Sequence, residues 1–372
     1  MNVFVDLRTA TDHFPGIGRY AVNLIRALES QIGDLGKLHL IADSMRSSRW
    51  NLASFEPKNG NLLQIKASPF SIRQQWLVPQ LLKKQKADLY HSLYYIMPFF
   101  SGVPTILTVY DLIPLIFPNY FPLHIRLLYR LANYWALVRS QHIISISRST
   151  AQDLIDRYSI PEKRVTAIHL AADDSFYPRE NDEIESVLKR LKLSKDYILY
   201  VGSNKPHKNL TRLIKAWEKI TTPKPALVIA GFWDTRYPEA KDYVQSKHYQ
   251  KSVHFVGPVA DADLPALYTG AMLFAYPSKY EGFGLPVLEA MACGTAVVTT
   301  NISSLCEVAG DAAILVDPLS VDDLSCAMRL LVEDEELLRH HENLGINRAK
   351  RFTWQKCASE TIEVYKQIYT AS

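Results

Sequence analysis

Y-P-S-K-Y-E-G-F-G-L-P-V-L-E-A-M-A-C-G-T-A-V-V, residues 276–298, folds a strand end, a glycine loop, a short helix and a second strand into one phrase. The apolar run from Met272 to Ala275 leads into Pro277 and Ser278 as a buried strand leads into a loop. Gly282 and Gly284 follow, and then Pro286, which suits the first turn of a helix because its missing N–H costs nothing there. Leu288, Ala290, Met291 and Ala292 are good helix formers, and Gly294 marks the stop. Thr295 to Thr300 is β-branched and apolar, which predicts a second strand.

A glycine loop opening a helix presents unpaired N–H groups and the positive end of the helix dipole, an arrangement suited to a diphosphate. Glu281 stands before the turn and Glu289 inside the helix. A carboxylate accepts two hydrogen bonds from vicinal hydroxyls, such as those of a ribose or a hexose. Sugar, phosphates and ribose fit one line along this unit. Two solvated glutamates flanking a tight turn are the plainer alternative, and a lone Gly-x-Gly favours it; the whole phrase is far more specific.

The segment E-G-F-G-L-P-V-L-E-A-M-A-C-G-T resembles the E-x7-E signature of the retaining GT-B glycosyltransferases, a family with many bacterial mannosyl- and glucosyltransferases. The resemblance implies an α/β fold of two Rossmann-like domains facing a central cleft. It implies that Glu281 meets the donor sugar, that Phe283, Gly284 and Leu285 meet the phosphates, and that Glu289 meets the ribose. Y-V-G-S-N-K-P-H-K-N-L, from Tyr200, resembles the family's strand–glycine–basic loop, so Lys208 falls on the lysine that neutralises donor phosphates, with Ser203 and Lys205 nearby. V-H-F-V-G-P-V-A-D-A-D-L resembles its nucleobase loop, which assigns Val256, Pro258 and Val259 to the base edge and Leu264 to packing beside it. Two departures stand out. Ser203 and His207 occupy positions where arginine is common among relatives, and the family's His-Asp pair reads Tyr110-Asp111 here.

The length of 372 residues predicts two domains, expected over 1–172 and 173–353, with the last helix (354–372) crossing back onto the first. No apolar run reaches the roughly 18 residues of a membrane span, and the chain opens directly on a strand, so a cytoplasmic protein is expected. Cys293, Cys306, Cys326 and Cys357 are widely spaced and form no C-x-x-C pair, the pattern of buried thiols rather than a zinc site. Charge is uneven: residues 1–172 hold 19 Lys and Arg against 11 Asp and Glu, and the remainder holds 23 against 27. Such asymmetry marks a surface that meets an anionic partner, and Lys83, Lys84, Lys86, Arg126, Arg130 and Arg139 supply it.

Along the first half, Val3–Asp6, Leu38–Ala42 and Leu62–Ile65 read as strands. Gly16 and Gly18 stand in a loop before a helix expected over Ala21–Leu28, a second anion-ready terminus. Strands ending at His91, before Asp111 and at Ser147 place those three residues along one carboxyl edge, where open α/β sheets bind ligands. Residues 94–135 carry eleven aromatics, from Tyr94 to Trp135. They read either as core and interdomain packing, or as an acceptor channel or a flank that touches a membrane. In the second half, 173–196 reads as a connection with a short polar helix, followed by strands at Tyr197–Val201, Leu227–Ala230, Val253–Val256, Ala296–Thr300 and Ala313–Val316.

The expected chemistry is retaining transfer of a hexose from a UDP- or GDP-linked sugar to a hydroxyl of a glycan, lipid-linked or other acceptor. Asp111, Lys208 and Glu281 are the expected catalytic residues. Gly16, Gly18, His91, Tyr110 and Ser147 are expected to bind substrate from the first domain. The only D-x-D, Asp261–Asp263, lies in the base loop, so no metal or other cofactor is required. No nucleic acid is expected as a partner, and peripheral contact with an anionic membrane is. The competing expectation, motivated by Tyr110, is a GT-B protein that binds a nucleotide sugar or glycan without transferring.

Overall fold

The computed structural model describes residues 1–371 except 13–14, 34–35, 44–49, 51–54, 56 and 222–223. The chain opens as β1 (Asn2–Asp6), α1 (Pro15–Gln31), β2 (Lys37–Asp43), β3 (Leu62–Ile65), α2 (Gln74–Lys84) and β4 (Leu89–Ser92). It goes on as β5 (Thr105–Val109), α3 (Ile113–Ile116), α4 (Leu123–Arg139), β6 (His142–Ser145), α5 (Arg148–Tyr158) and β7 (Val165–Ala167). Then come α6 (Asn181–Leu191), β8 (Tyr197–Val201), α7 (Leu210–Glu218), β9 (Ala226–Ala230), α8 (Glu239–Ser246), β10 (Val253–Gly257) and α9 (Leu264–Thr269). The chain closes with β11 (Leu273–Tyr276), α10 (Leu285–Ala292), β12 (Val297–Thr300), α11 (Ser304–Ala309), β13 (Ala313–Val316), α12 (Val321–Glu333), α13 (Glu335–Ala349) and α14 (Trp354–Thr370). Two compact units result: Met1–Leu170 with Thr353–Ser372, and Ala171–Phe352.

The first unit is built, among the described residues, on a seven-stranded parallel sheet in the order β3-β2-β1-β4-β5-β6-β7. Helices cover both faces of such a sheet, so its central strands carry apolar residues on either side; Val3, Phe4 and Val5 are all fully buried. The C-terminal helix α14 closes this unit. Its Trp354 ring lies 6.1 Å from that of Tyr20 on α1, and Gln31 Nε2 donates to the Gln355 carbonyl at 2.8 Å. Helix α1 starts earlier than its sequence suggests. Pro15 takes the first position, so Gly16 and Gly18 lie within the first turn and not in a loop ahead of it. Strand β7, a half-buried three-residue edge strand, has too little pattern to be seen in the sequence.

The second unit is a six-stranded parallel sheet among the described residues, ordered β10-β9-β8-β11-β12-β13. The short polar helix expected within 173–196 is α6, which buries Ile184, Val187 and Leu188. Arg190 on α6 also pairs with Asp263 at 2.5 Å. Strands β8, β9 and β10 end in glycines tied side by side, Gly202 N–H to the Ala230 carbonyl at 2.9 Å and Gly231 N–H to the Gly257 carbonyl at 2.8 Å. The fit there excludes a side chain, since a Cβ on Gly231 would come within 2.2 Å of the Gly202 oxygen. The carboxyl ends of three strands are thereby left as bare backbone.

Candidate functional site

Strand β8 passes through Gly202 into a turn of 3-10 helix, Pro206–Lys208, which Asn209 ends at φ 66°. The Asn209 amide donates to the carbonyls of Pro277 (3.0 Å) and Pro318 (2.7 Å). Ser278 Oγ and Lys279 N–H, from the loop after β11, both donate to the His207 carbonyl. These bonds latch the two loops together because β8 and β11 are neighbours in the sheet. The result is a specific convergence: Lys208 Nζ donates to both Glu281 carboxylate oxygens, at 2.7 and 2.9 Å, and to Tyr276 Oη at 2.8 Å. Both side chains of the pair are largely buried. Burial pushes the Glu281 carboxyl up, but the Lys208 ammonium outweighs it and the group lies below its ordinary range. Tyr276, buried beside Glu281, has its hydroxyl pushed well up and stays a proton donor.

Two serines hold the backbone of Glu281. Its N–H donates to Ser303 Oγ at 3.0 Å, and Ser304 Oγ donates to its carbonyl at 2.8 Å. Gly284 then turns the chain at φ 112° into α10, where a Cβ would meet Leu305 at 2.8 Å. Phe283 is buried with its ring 6.0 Å from that of Phe352. Glu289, one turn into α10, is buried and accepts from Tyr268 Oη at 3.2 Å. Ser203 is half-buried, and its carbonyl accepts from Tyr200 Oη at 2.8 Å; Lys205 is exposed. At the end of β10, Val256 and Val259 are half-buried, Pro258 is exposed and Leu264 is buried. A groove of about 670 Å³ runs along β10 past Val256, but Lys208 and Glu281 do not line it. Tyr276, Tyr268, Ser303 and Ser304 are the members that sequence reasoning missed. Their aromatic or small polar character carries no signal until the sheet order is known.

The remaining candidates belong to the first unit. His91 is fully buried inside β4, with Nδ1 2.7 Å from Tyr365 Oη and Nε2 2.8 Å from Thr108 Oγ1. Both ring nitrogens serve internal packing, and burial lowers the imidazole to about 3. Ser147, also fully buried, caps α5 by accepting from Thr150 N–H at 3.0 Å. Neither stands open at the sheet edge. Gly18 is buried against the Trp50 indole, which occupies the place of a side chain, while Gly16 is exposed. Asp111 accepts from Ile113 N–H at 2.9 Å and lines a small cavity of about 60 Å³ with Tyr94, Tyr95, Tyr110 and Tyr129. Tyr110 packs edge-on against Tyr20 at 5.5 Å, and its hydroxyl is buried without a hydrogen-bond partner among the described residues.

Two Rossmann-like units, one carrying a lysine–glutamate pair ahead of a glycine-opened helix, define a GT-B glycosyltransferase. Residues 182–366 match the family described as Glycosyl transferases group 1, and residues 15–176 match Glycosyltransferase Family 4. The chain belongs to these family 4 GT-B glycosyltransferases. It is 29% identical over 369 residues to the O-antigen chain mannosyltransferase B of Escherichia coli, covering 94% of this chain and 96% of that one. It is also 29% identical over 324 residues to the serotype-specific mannosyltransferase WbdA of Escherichia coli, where the match takes in 77% of this chain and 38% of the longer relative. In fold it is similar to Anabaena HepE, solved in complex with UDP-glucose, with a TM-score of 0.78, 16% identity and coverage of 99% and 100%.

Proposed function

We propose that the protein transfers a mannosyl group, with retention of configuration, from a nucleotide-diphospho-sugar to a hydroxyl of a growing polysaccharide. The Lys208–Glu281 pair carries this reading. A diphosphate offers Lys208 more negative charge than one carboxylate does. Donor binding would therefore draw the ammonium onto the phosphates and free Glu281 to accept the sugar's hydroxyl hydrogens. Lys208 and the N–H groups opening α10 would then meet the charge that grows on the leaving diphosphate. Glu289 would accept from the ribose hydroxyls. The family resemblance favours attack from the face of the departing phosphate, with Glu281 and Asp111 orienting. The mannosyl choice is supported by the names of relatives matched over most of this chain.

A panel of GDP- and UDP-linked hexoses, with nucleoside diphosphate release followed with and without a mannan acceptor, tests the reading. Release only with a mannosyl donor, and a product whose anomeric proton keeps the donor's configuration, is expected. An unchanged rate in a chelator is expected too, since Lys208 supplies the positive charge. Donor binding without release under any acceptor would favour the non-catalytic alternative.

A further inference from the structure

The order of strands in the second sheet dictates what a ligand must cross. Lys208 follows β8 and Glu281 follows β11, two strands that pair with each other. The loop expected to meet a nucleobase, Val256 to Val259, forms the end of β10. Strand β9 lies between β8 and β10. Neighbouring strands are about 4.8 Å apart, so a ligand with its phosphates at Lys208 and its base at β10 passes directly over the carboxyl end of β9. That end is Gly231, whose N–H donates to the Gly257 carbonyl at 2.8 Å, and the residue after it is Phe232.

Phe232 is 68% exposed, and its surroundings hold it at that place. Asn204, buried in the loop after β8, accepts from Asp234 N–H at 2.6 Å. Its Nδ2 donates to the carbonyls of Asp234 and Tyr237 at 2.8 and 2.7 Å. The adjacent Trp233 is turned to packing: its ring meets Phe255 of β10 edge-on at 5.2 Å, with Lys241 Nζ 4.3 Å from its centroid. The segment is thus tied to the Lys208 loop on one side and to β10 on the other. Of its two neighbouring aromatics, one is consumed in packing and the other is left to water.

A single exposed phenylalanine is ordinary on a protein surface, and exposure alone would mean nothing. Here the ring stands beside strand ends that are bare backbone. Backbone groups can bond the edge of a base, but they leave its faces uncovered. An aromatic ring covers a face, and it does so for any base, because every base has a π-face. We infer that Phe232 is the platform on which the donor's nucleobase stacks, holding the base without reading its identity. The inference rests on the nucleotide-sugar reading proposed above.

Calorimetric titration of the full chain with GDP, UDP and inorganic pyrophosphate tests it. Phe232→Ala should weaken binding of the nucleoside diphosphate that the wild type prefers by about tenfold. Pyrophosphate, which has no base, should bind the variant as it binds the wild type. Phe232→Tyr keeps the ring and should keep the affinity, whereas Phe232→Leu is apolar without a ring and should lose it. The position is exposed, and an unchanged melting temperature verifies the fold. Full nucleotide affinity in Phe232→Ala or Phe232→Leu, or an equal loss for pyrophosphate, would overturn this inference and leave the donor reading standing. A wild type that binds neither nucleoside diphosphate would overturn both.

Discussion

A lysine and a glutamate that stand 73 residues apart in sequence hold each other at 2.7 Å, largely out of water. Removing one partner of a buried pair leaves the other uncompensated, a loss of about 3–5 kcal/mol, whereas removing both charges is far milder. Lys208→Met and Glu281→Gln should therefore each destabilise the second unit, and the double variant should melt closer to the wild type than either single one. If the pair also serves transfer, the double variant recovers stability without recovering turnover; recovery of both would make the pair purely structural. His91 gives a second prediction of known sign. Its imidazole is held neutral to about 3 in the folded chain against 6.5 ordinarily, so the unfolded chain binds the extra proton across that window. Stability from this group is complete above the ordinary value and drains as pH falls toward the folded one, by up to about 1.4 kcal/mol per pH unit. Denaturant titrations from pH 7 to 4 should show a flatter pH dependence for His91→Gln than for the wild type. Parallel curves would show that burial of this ring is not felt by the fold.

At the scale of elements, α10 depends on one backbone conformation. Gly284 holds φ 112°, and a Cβ there would sit 2.8 Å from Leu305. Gly284→Ala should cost about 1–3 kcal/mol and tilt the first turn of α10, lowering nucleotide affinity together with melting temperature. Loss of stability with unchanged affinity would detach that turn from the phosphates. Many of the strands are legible in the sequence: β3, β5, β8 and β13 lie where apolar, β-branched runs between turn residues place them. The glycine loop and α10 are legible for the same reason, since Pro286 and Gly294 punctuate them. The start of α1 is not, because Gly16 and Gly18 weaken local helix propensity and the close approach of Trp50 is a tertiary matter. Helix α6 is legible as a short polar helix but its packing face is not, because its three buried residues form a narrow stripe in a highly charged run. The engagement of His91 by Tyr365 depends on where α14 packs, and that of Lys208 by Glu281 on which strands are neighbours. Local spacing does not encode that, so a polar residue at a strand end reads as a ligand whether it faces solvent or a helix.

At the scale of the whole molecule, the first unit is made from two separated pieces of chain. Helix α14 supplies it with buried Trp354, Cys357, Ile362, Val364, Tyr365 and Ile368. Each large apolar side chain contributes about 1.5–3 kcal/mol, so the helix accounts for as much free energy as a domain has to spare. A chain ending at Phe352 should lose amide-exchange protection in β4 and β5 while β8 and β11 keep theirs; protection retained in β4 would refute the dependence. Synthesis meets the same geometry in time. Leu170 is made long before Thr353, and at about 5–20 residues per second the 182 residues between take roughly 9–36 s. The first sheet thus leaves the ribosome with the seat of α14 uncovered, and the second unit can finish before the first. Folding order runs against translation order, and for that interval the N-terminal half is the part of the nascent chain that a chaperone would have to shield.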